Sequence, residues 1–431
     1  MLLALLVAAL PPLSLPAQTK TLSNGLVVIV SPDHSAPGVA VDLRYHVGSK
    51  DEDPGRTGFA HLFEHLMFMG ARHVPYPKYD TLMEARGGQN NASTGSDFTN
   101  YFETGPSNLL EMFLWMEADR LATLGLTMTD EKLETQRKVV LNERRQSYEN
   151  RPYGPAQLAL EEHLYPEGSP YHWPTIGSAQ DLEAARLDDV TKFFARWYVP
   201  RNAALAIVGD VQPEAAFAAA EKYLAFVPDV SAPPRKAFTA APLAKEERLQ
   251  LTDKVELPRI FLAWQGPRRN QPGDADCDLL AAILGHGKAS RLYQRLVHHD
   301  EIANEVHAEM ESRDLESLFA IDALARPGHS TAELLKAADE EIARLIKEGP
   351  TQAEVDSART RLYTGVARSL EGLVPRASRL TTYQFDYGTP DALARDLQRY
   401  EAASAQSVQA AAARYLGPNR VVVEVAPEAK K

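Results

Sequence analysis

A weak internal repeat of about 220 residues limits the fold of this chain more than any other feature of its sequence. When the second half is aligned with the first at one constant spacing, Trp197 matches Tyr415 and Pro200 matches Pro418. In both halves a β-type run follows these residues. Earlier in the halves, at a nearly identical spacing, Thr129, Leu133, Glu134 and Arg137 face Thr351, Val355, Asp356 and Arg359. Because the matches keep their order, they indicate two tandem halves of one fold.

Hydrophobic periodicity predicts both strands and helices. Val39, Val41, Leu43, Tyr45 and Val47 alternate with a period of two, as in a strand with one buried face. Helical patterns and a closing β run follow in residues 59–69, 79–86, 108–124, 129–148, 188–197 and 203–208. The sequence therefore predicts an α+β fold with two tandem homologous halves, each an antiparallel sheet packed with helices.

Composition divides the chain into four segments. Residues 1–17 hold a short apolar run followed by prolines, which is typical of a signal peptide and too short for a membrane span of about 20 residues. Residues 229–245 are rich in Pro, Ala and Lys, as in a linker. We therefore expect an N-terminal half over 18–228, a C-terminal half over 246–431, and an exported, periplasmic protein without a membrane span.

Charge and cysteine content exclude several classes of function. The 46 Lys and Arg against 58 Asp and Glu give a net charge of -12, which argues against a nucleic-acid partner. The single cysteine, Cys277, excludes an intrachain disulfide and any cysteine-based metal cluster, and it lies in an apolar helical pattern that favours a core thiol. A metal ion would have to be held by histidines and carboxylates.

The segment FAHLFEHLMF contains the strongest chemical signal. It places His61 and His65 four residues apart, hence on one face of a helix, with Glu64 directly before the second histidine. Two neutral imidazoles at this spacing can share one metal ion, and a neighbouring carboxylate can take a proton from metal-activated water. The alternative is a pair of histidines packed on a core-facing helix with Glu64 at its rim.

A third ligand is expected from the helix predicted over 129–148. Leu133, Val139 and Val140 form its apolar side, and Glu143 falls between the two valines in projection. A carboxylate in an apolar arc needs a positive partner, and a metal held by the two histidines is one. Without the histidines, a solvated or salt-bridged glutamate would be the more common arrangement.

Several motifs in order resemble the inverted-zincin peptidase family of pitrilysin, insulin-degrading enzyme and the mitochondrial processing peptidase. The motif His61-Leu62-Phe63-Glu64-His65 is followed, well downstream in the same half, by Glu143. The other matching segments are GRTGFAHLFEHLMFMG, GGQNNASTGSDFTNYFET, LWMEADRLATL, VVLNERRQSYENRPYG, SPYHWPTIGS and, in the second half, ASRLYQRL. The resemblance covers nearly the whole chain after the N-terminal apolar segment.

The resemblance implies a zinc-dependent endopeptidase acting on peptides or small unfolded polypeptides. His61, His65 and Glu143 would hold one Zn²⁺ ion per chain, and Glu64 would activate the attacking water. Asn91, Ala92, Ser93 and Thr94 match the family's active-site edge strand, against which a peptide substrate pairs as an added strand. Taken alone, that segment is equally compatible with an ordinary turn and short strand.

The sequence departs from the family at three positions. Gln136 stands where a second glutamate is common, seven residues before Glu143, and would lie beside it. In the second half Val297 and Asn304 replace an Arg and a Tyr that help to polarise the scissile carbonyl. This pattern predicts a heterodimer in which a homologous subunit supplies the Arg and Tyr and closes a chamber, with a homodimer as the alternative arrangement.

A non-catalytic assembly subunit that shares this fold is the competing class of function. Such subunits typically lose the zinc ligands, whereas all three and the glutamate base are present here. Only the first half carries a metal site, because the residue that faces Glu143 in the alignment of Thr129 with Thr351 is Gly365.

Overall fold

The computed structural model describes residues 13–235, 238 and 241–428. Its strands are β1 Gln18–Thr21, β2 Val27–Pro32, β3 Gly38–Tyr45, β4 Gln89–Thr94, β5 Thr99–Pro106, β6 Ala203–Gly209, β7 Glu247–Asp253, β8 Arg259–Gly266, β9 Ala303–Glu311, β10 Ser317–Ala325 and β11 Val421–Pro427. Its α-helices are α1 Phe59–Leu66, α2 Lys78–Glu84, α3 Leu110–Thr127, α4 Asp130–Arg144, α5 Gly154–Leu164, α6 Ala179–Ala184, α7 Leu187–Trp197, α8 Pro213–Leu224, α9 Asp274–Gly285, α10 Thr331–Glu348, α11 Gln352–Ser369, α12 Leu373–Tyr387, α13 Leu393–Glu401 and α14 Ala405–Tyr415.

Two sheets repeat one topology. The first has the order β1-β2-β6-β3-β5-β4 and the second the order β7-β11-β8-β10-β9. Apart from β1, each sheet therefore places its strands in the sequence first, fifth, second, fourth, third. The pairs β2–β6 and β7–β11 are parallel and the others antiparallel. The predicted α+β fold of two homologous halves is confirmed, with one parallel pair in each sheet.

The repeat also extends to helix positions and caps. Helices α7 and α14 occupy the segments that the match of Trp197 with Tyr415 aligns. Helices α4 and α11 begin after the matched threonines, and in both the hydroxyl accepts a backbone hydrogen bond, from Lys132 to Thr129 and from Glu354 to Thr351. A threonine in this position satisfies an N–H group that the first helical turn leaves unpaired.

Each half supplies a helix to the sheet of the other half. Helix α12 packs on β3 and β6, where Ala377 and Leu380 join Ile29 and Val208 in one buried apolar cluster. Helix α5 packs on β8 and β11 in a second shared cluster. The two sheets follow each other along the chain, but helices from each half pack on the sheet of the other. The division into an N-terminal half over 18–228 and a C-terminal half over 246–431 therefore stays a prediction from sequence.

The N-terminal segment is described only from residue 13, so residues 1–12 of the predicted signal peptide lie outside the described part of the chain. Leu15 is 2% exposed and belongs to the cluster under α12, and the Pro16 carbonyl accepts a hydrogen bond from the Ser31 hydroxyl at 2.7 Å. Residues 13–17 thus pack against the first sheet. Within the described residues, no helix has both the length and the apolar character needed to cross a membrane.

A buried ionic cluster joins the two halves. Asp97 from the first half lies 3.2 Å from the Lys50 Nζ and 3.0 Å from an Arg269 nitrogen, and it accepts a hydrogen bond from the Tyr171 hydroxyl at 2.6 Å. Asp314 from the second half contacts the same two cations at 2.8 and 2.9 Å. The buried Lys50 and the half-buried Arg269 thus share two carboxylates, Asp97 from the first half and Asp314 from the second.

Replacement of Asp97 by Asn is expected to lower the free energy of unfolding by about 2 to 3 kcal/mol, since it removes a buried carboxylate that contacts the buried Lys50 ammonium and the half-buried Arg269 guanidinium. Urea denaturation of the purified chain measures the change. The matched control is Asp391→Asn, which removes an exposed carboxylate and should leave the free energy of unfolding unchanged. An equal stability of the two variants would contradict the cluster's contribution.

Candidate active site

Helix α1 is anchored at its N-terminus by a buried carboxylate. The Glu52 oxygens accept hydrogen bonds from the backbone N–H groups of Gly58 and Ala60 at 2.9 and 2.8 Å, and from the Trp173 indole at 2.9 Å. These hydrogen bonds are favourable because the first N–H groups of a helix have no partners within it, and burial raises the pKa of the Glu52 carboxyl group. Gly58 has a φ of 83°, and a Cβ there would come within 2.7 Å of the Ile176 carbonyl oxygen. The helix therefore begins at a fixed place.

The two faces of α1 differ in burial. Leu62, Phe63 and Leu66 are at most 2% exposed and pack into the core of the first half. His61 and His65 lie on the opposite face, with side chains 13% and 23% exposed, and Glu64 lies between them in sequence on the same side. The expected helix over 59–69 is confirmed in its first two turns, and the histidines do not belong to the buried apolar face.

Helix α4 packs against α1 and brings Glu143 to the histidines. Leu133 and Val140 form its buried stripe, whereas Val139 is 45% exposed. The expectation that Val139 lies on the apolar side is therefore wrong, because adjacent helical residues point about 100° apart and the buried stripe of α4 is narrow. Glu143 stands at the edge of that stripe, with its side chain 38% exposed.

The three side chains converge with the spacing of metal ligands. The His61 Nε2 lies 3.7 Å from Glu143 Oε1, and the His65 Nε2 lies 3.3 Å from Glu143 Oε2. One ligand atom from each residue falls within 4.8 Å of the other two. A tetrahedral zinc ion with bonds of about 2.1 Å keeps neighbouring ligand atoms about 3.4 Å apart, so the donor set and its spacing fit zinc.

Local electrostatics favour the protonation states in which His61 and Glu143 can bind a metal ion. Burial, reinforced by the neighbouring His65, lowers the pKa of His61, so its imidazole is neutral at pH 7. The hydrogen bond from His65 lowers the pKa of Glu143 and keeps that carboxylate ionised. Burial raises the pKa of Glu64, against the opposing effect of its hydrogen bond from Thr94.

Strand β4 borders this cluster. It pairs with β5 and has no other strand beside it among the described residues, so it forms one edge of the first sheet. Asn91, Ala92, Ser93 and Thr94 are four of its six residues. Its last residue contacts the site directly, because the Thr94 hydroxyl donates a hydrogen bond to Glu64 Oε2 at 2.5 Å. The segment is thus an edge strand rather than a turn.

Four other residues named in the sequence analysis are not part of the cluster of His61, His65 and Glu143. The Gln136 amide donates a hydrogen bond to the Met69 sulfur at 2.8 Å rather than to Glu143. Val297 is 8% exposed in the core of the second half, and Asn304 on β9 donates to the Ala325 carbonyl at 3.3 Å. Cys277 is fully buried in that same core, as its apolar helical pattern predicts.

The second half holds no comparable site within the described residues, where His61, His65 and Glu143 form the one potential metal-binding group. The sequence did not point to two residues of the first half that support the site. Glu52 lies in a polar, turn-rich stretch that shows no sign of its capping role. The Thr94 side chain reaches Glu64 only because the pleat of β4 turns it toward α1, which the alternation of the strand could have indicated.

A cavity of about 420 Å³ opens beyond the end of β4. Its first-half wall includes Thr94, and its second-half wall is formed largely by β9 and β10. The carboxylates lining it are Glu161, Glu309, Glu311 and Asp322. The edge strand therefore leads directly into a space between the halves.

The fold and the site define a class of protein: a two-half α+β chain with an inverted His-x-x-Glu-His centre in its first half. Two family models match it, "Insulinase (Peptidase family M16)" over residues 27–169 and "Peptidase M16 inactive domain" over residues 184–362. The zinc protease PqqE of Helicobacter pylori is 31% identical over 366 residues, which cover 82% of this chain and 80% of that protein. The chain belongs to peptidase family M16, and the resemblance inferred from its motifs is confirmed.

Solved structures agree with this assignment. A protease from Helicobacter pylori superposes with a TM-score of 0.91 at 26% identity, covering 96% of this chain and 100% of that one. The periplasmic protease PqqL from Escherichia coli shares the fold with a TM-score of 0.78 at 19% identity, and the match covers 96% of this chain but 48% of that one. The fold of this chain thus corresponds to about half of that longer protease.

Proposed function

We propose that this chain is a zinc-dependent endopeptidase that hydrolyses peptides or small unfolded polypeptides. One observation carries the proposal: two imidazole nitrogens face the two oxygens of the Glu143 carboxylate at 3.7 and 3.3 Å, beside a sheet edge that no other strand of the described residues covers. Membership of a peptidase family and a relative named zinc protease support it. His61, His65 and Glu143 would hold a single zinc ion.

The protein's own residues account for the remaining steps. A zinc ion bound there would polarise the scissile carbonyl and make water acidic enough to be a nucleophile at neutral pH. Glu64, on the same face of α1 as the histidines, takes a proton from the attacking water. After attack, the same carboxyl group can return the proton to the departing amine. The half-buried setting of the four side chains limits competing contacts with solvent.

Substrate binding follows from the free edge of β4. An extended peptide adds to this edge as a further strand, with the backbone of Asn91, Ala92, Ser93 and Thr94 providing hydrogen bonds that do not depend on side-chain identity. Selectivity then arises from spaces next to the strand, among them the 420 Å³ cavity that begins at Thr94. The chain would therefore favour unfolded segments, because most of the backbone of a folded protein is already paired within its own helices and sheets.

A second, homologous subunit would complete the active assembly. Neither Val297, which is buried in the second-half core, nor Asn304, which bonds to a neighbouring strand, can stabilise an oxyanion at the metal centre. We expect a heterodimer whose partner contributes an Arg and a Tyr and closes a chamber over β4, with a homodimer as the alternative. Because PqqL, which shares this fold, is about twice as long as the matched region, a two-unit arrangement is compatible with the fold.

The place of action would be the periplasm, reached by export. Two observations support this proposal: the apolar run over residues 1–10, and the similarity in fold to PqqL, a periplasmic protease. Mass spectrometry of the protein recovered from its native host, from periplasmic and cytoplasmic fractions, identifies both the compartment and the mature N-terminus.

Zinc analysis combined with cleavage assays tests the function. Wild-type protein is expected to retain zinc through dialysis and to cleave unstructured peptides when co-purified with its partner. Full activity of the chain alone as a monomer or homodimer would remove the heterodimer proposal and leave the peptidase proposal standing. Absence of zinc from correctly folded wild-type protein would overturn the peptidase proposal and favour an assembly subunit.

A further inference from the structure

We propose that the Thr94 hydroxyl positions the Glu64 carboxylate, so that docking of a substrate strand and orientation of the proton acceptor depend on one residue. This inference rests on the proposed peptidase function and adds a role for the Thr94 side chain, in addition to the role of its backbone in strand pairing. Thr94 is a positioning residue in this proposal, because it acts through Glu64.

The geometry of β4 directs Thr94 toward α1. Asn90, Ala92 and Thr94 alternate with more exposed residues and share the half-buried face of the strand. Ala92 on this face packs against the apolar core of the first half, and Thr94, two residues further, ends the strand opposite Thr99. From there its hydroxyl donates to Glu64 Oε2 at 2.5 Å. The contact is therefore a consequence of the strand register.

Glu64 has few other restraints. In the part of the chain that the structure describes, Thr94 is the sole side chain that donates a hydrogen bond to this carboxylate. A glutamate side chain has three rotatable bonds, and holding one of its oxygens removes much of that freedom. With Oε2 engaged by Thr94, Oε1 is left to receive a proton, because it has no hydrogen-bond partner among the described residues.

The opposite face of the same strand end is also fixed. The Ser93 hydroxyl donates to the Asn100 side-chain oxygen at 2.6 Å, and the Asn100 amide donates to the fully buried Asp42 at 3.2 Å. Strand β4 is thereby held from one face through Ser93 and contacts the catalytic carboxylate from the other through Thr94. A peptide strand added to the free edge orders β4 further and, through Thr94, orders Glu64.

The test removes the hydroxyl while keeping the shape of the strand. Thr94→Val is isosteric and favours strand, and in the active assembly we expect it to lower kcat by about 10- to 100-fold, the effect of a lost hydrogen bond to a charged group. KM should change by less than about 3-fold, since pairing uses the backbone. Thr94→Ser should restore most of kcat. Thr94→Ala serves as a second hydroxyl-free variant.

Two further measurements do not depend on turnover. Zinc content should be unchanged in Thr94→Val, because no ligand is altered. In the Glu64→Gln background, adding Thr94→Val should change the dissociation constant of a fluorescent peptide by less than about 3-fold. The matched control is Thr104→Val on β5, which removes a strand hydroxyl bonded to the Val39 carbonyl at 3.2 Å and should preserve kcat.

The outcomes separate this inference from the proposed function. An unchanged kcat in zinc-loaded Thr94→Val overturns the positioning role and leaves the peptidase proposal intact. A loss that is equal in Thr94→Ser and Thr94→Val, or that appears in KM alone, also overturns it and assigns Thr94 to strand geometry. A wild-type protein that lacks zinc and cleavage overturns the function, and the inference with it.

Discussion

Replacing Glu64 by Gln is expected to lower kcat for peptide cleavage by about 10²- to 10⁴-fold, the range observed for loss of a positioned general base. The neutral amide retains the size of the side chain and still accepts the hydrogen bond from Thr94, but it cannot take a proton from water. Zinc content should be unchanged, because Glu64 is not among the three converging ligands. Steady-state cleavage of an unstructured fluorogenic peptide and metal analysis of the same sample measure both quantities.

The matched control for this variant is Glu84→Gln. Glu84 is an exposed residue at the end of α2, so its replacement makes the same change of charge away from the site. It should leave kcat and zinc content at wild-type values. A wild-type kcat in Glu64→Gln would show that another group accepts the proton. The zinc peptidase proposal would stand in that case, provided that the wild-type protein contains zinc and cleaves peptides.

Removal of a proposed zinc ligand should have a similarly large effect, in this case on zinc affinity. His65→Ala leaves His61 and Glu143 as the two remaining protein ligands, one fewer than the three of a catalytic zinc site. We expect zinc affinity to fall by more than the roughly 10- to 100-fold seen when only a neighbour of a ligand is lost. Cleavage should be lost together with the metal. Competition with a chromogenic chelator measures the affinity.

Two comparisons make the His65 result specific. His34→Ala removes an exposed imidazole that contacts Asp210 at the surface and should leave zinc affinity unchanged. Addition of zinc should raise the thermal stability of the wild-type protein but not of His65→Ala, since a ligand that binds only the folded state stabilises it. Undiminished zinc binding in His65→Ala would place the metal elsewhere.

The two histidines of the candidate metal site could be predicted from sequence because their spacing is local and periodic. The spacing of His61 and His65 defines a helix face, and the position of Glu143 next to Val140 places it at the edge of the buried stripe of α4, although the apolar arc expected around it is narrower than predicted. Helix positions were predictable for the same reason: the pattern over 188–197 matches α7 to within one residue. These inferences use nothing beyond neighbours on one helix.

Features that depend on distant contacts could not be predicted in this way. The apolar run over 203–208 identifies β6 as a strand but does not show that it inserts between β2 and β3 and pairs parallel with β2. The sequence pattern also does not show that α12 covers the sheet of the other half. The cap of α1 by Glu52 and the turn of Val139 toward solvent likewise depend on which elements meet in space.

The exchange of α5 and α12 between the halves means that the peptide linker is not what holds them together. Cutting the chain within residues 229–245 would leave each sheet still covered by a helix from the other fragment, with the Lys50, Asp97, Arg269 and Asp314 cluster between them. Expressing the first half alone would instead uncover the apolar surface of β3 and β6 that α12 protects. The gene could therefore be divided into two co-expressed pieces more readily than reduced to the half that contains His61, His65 and Glu143.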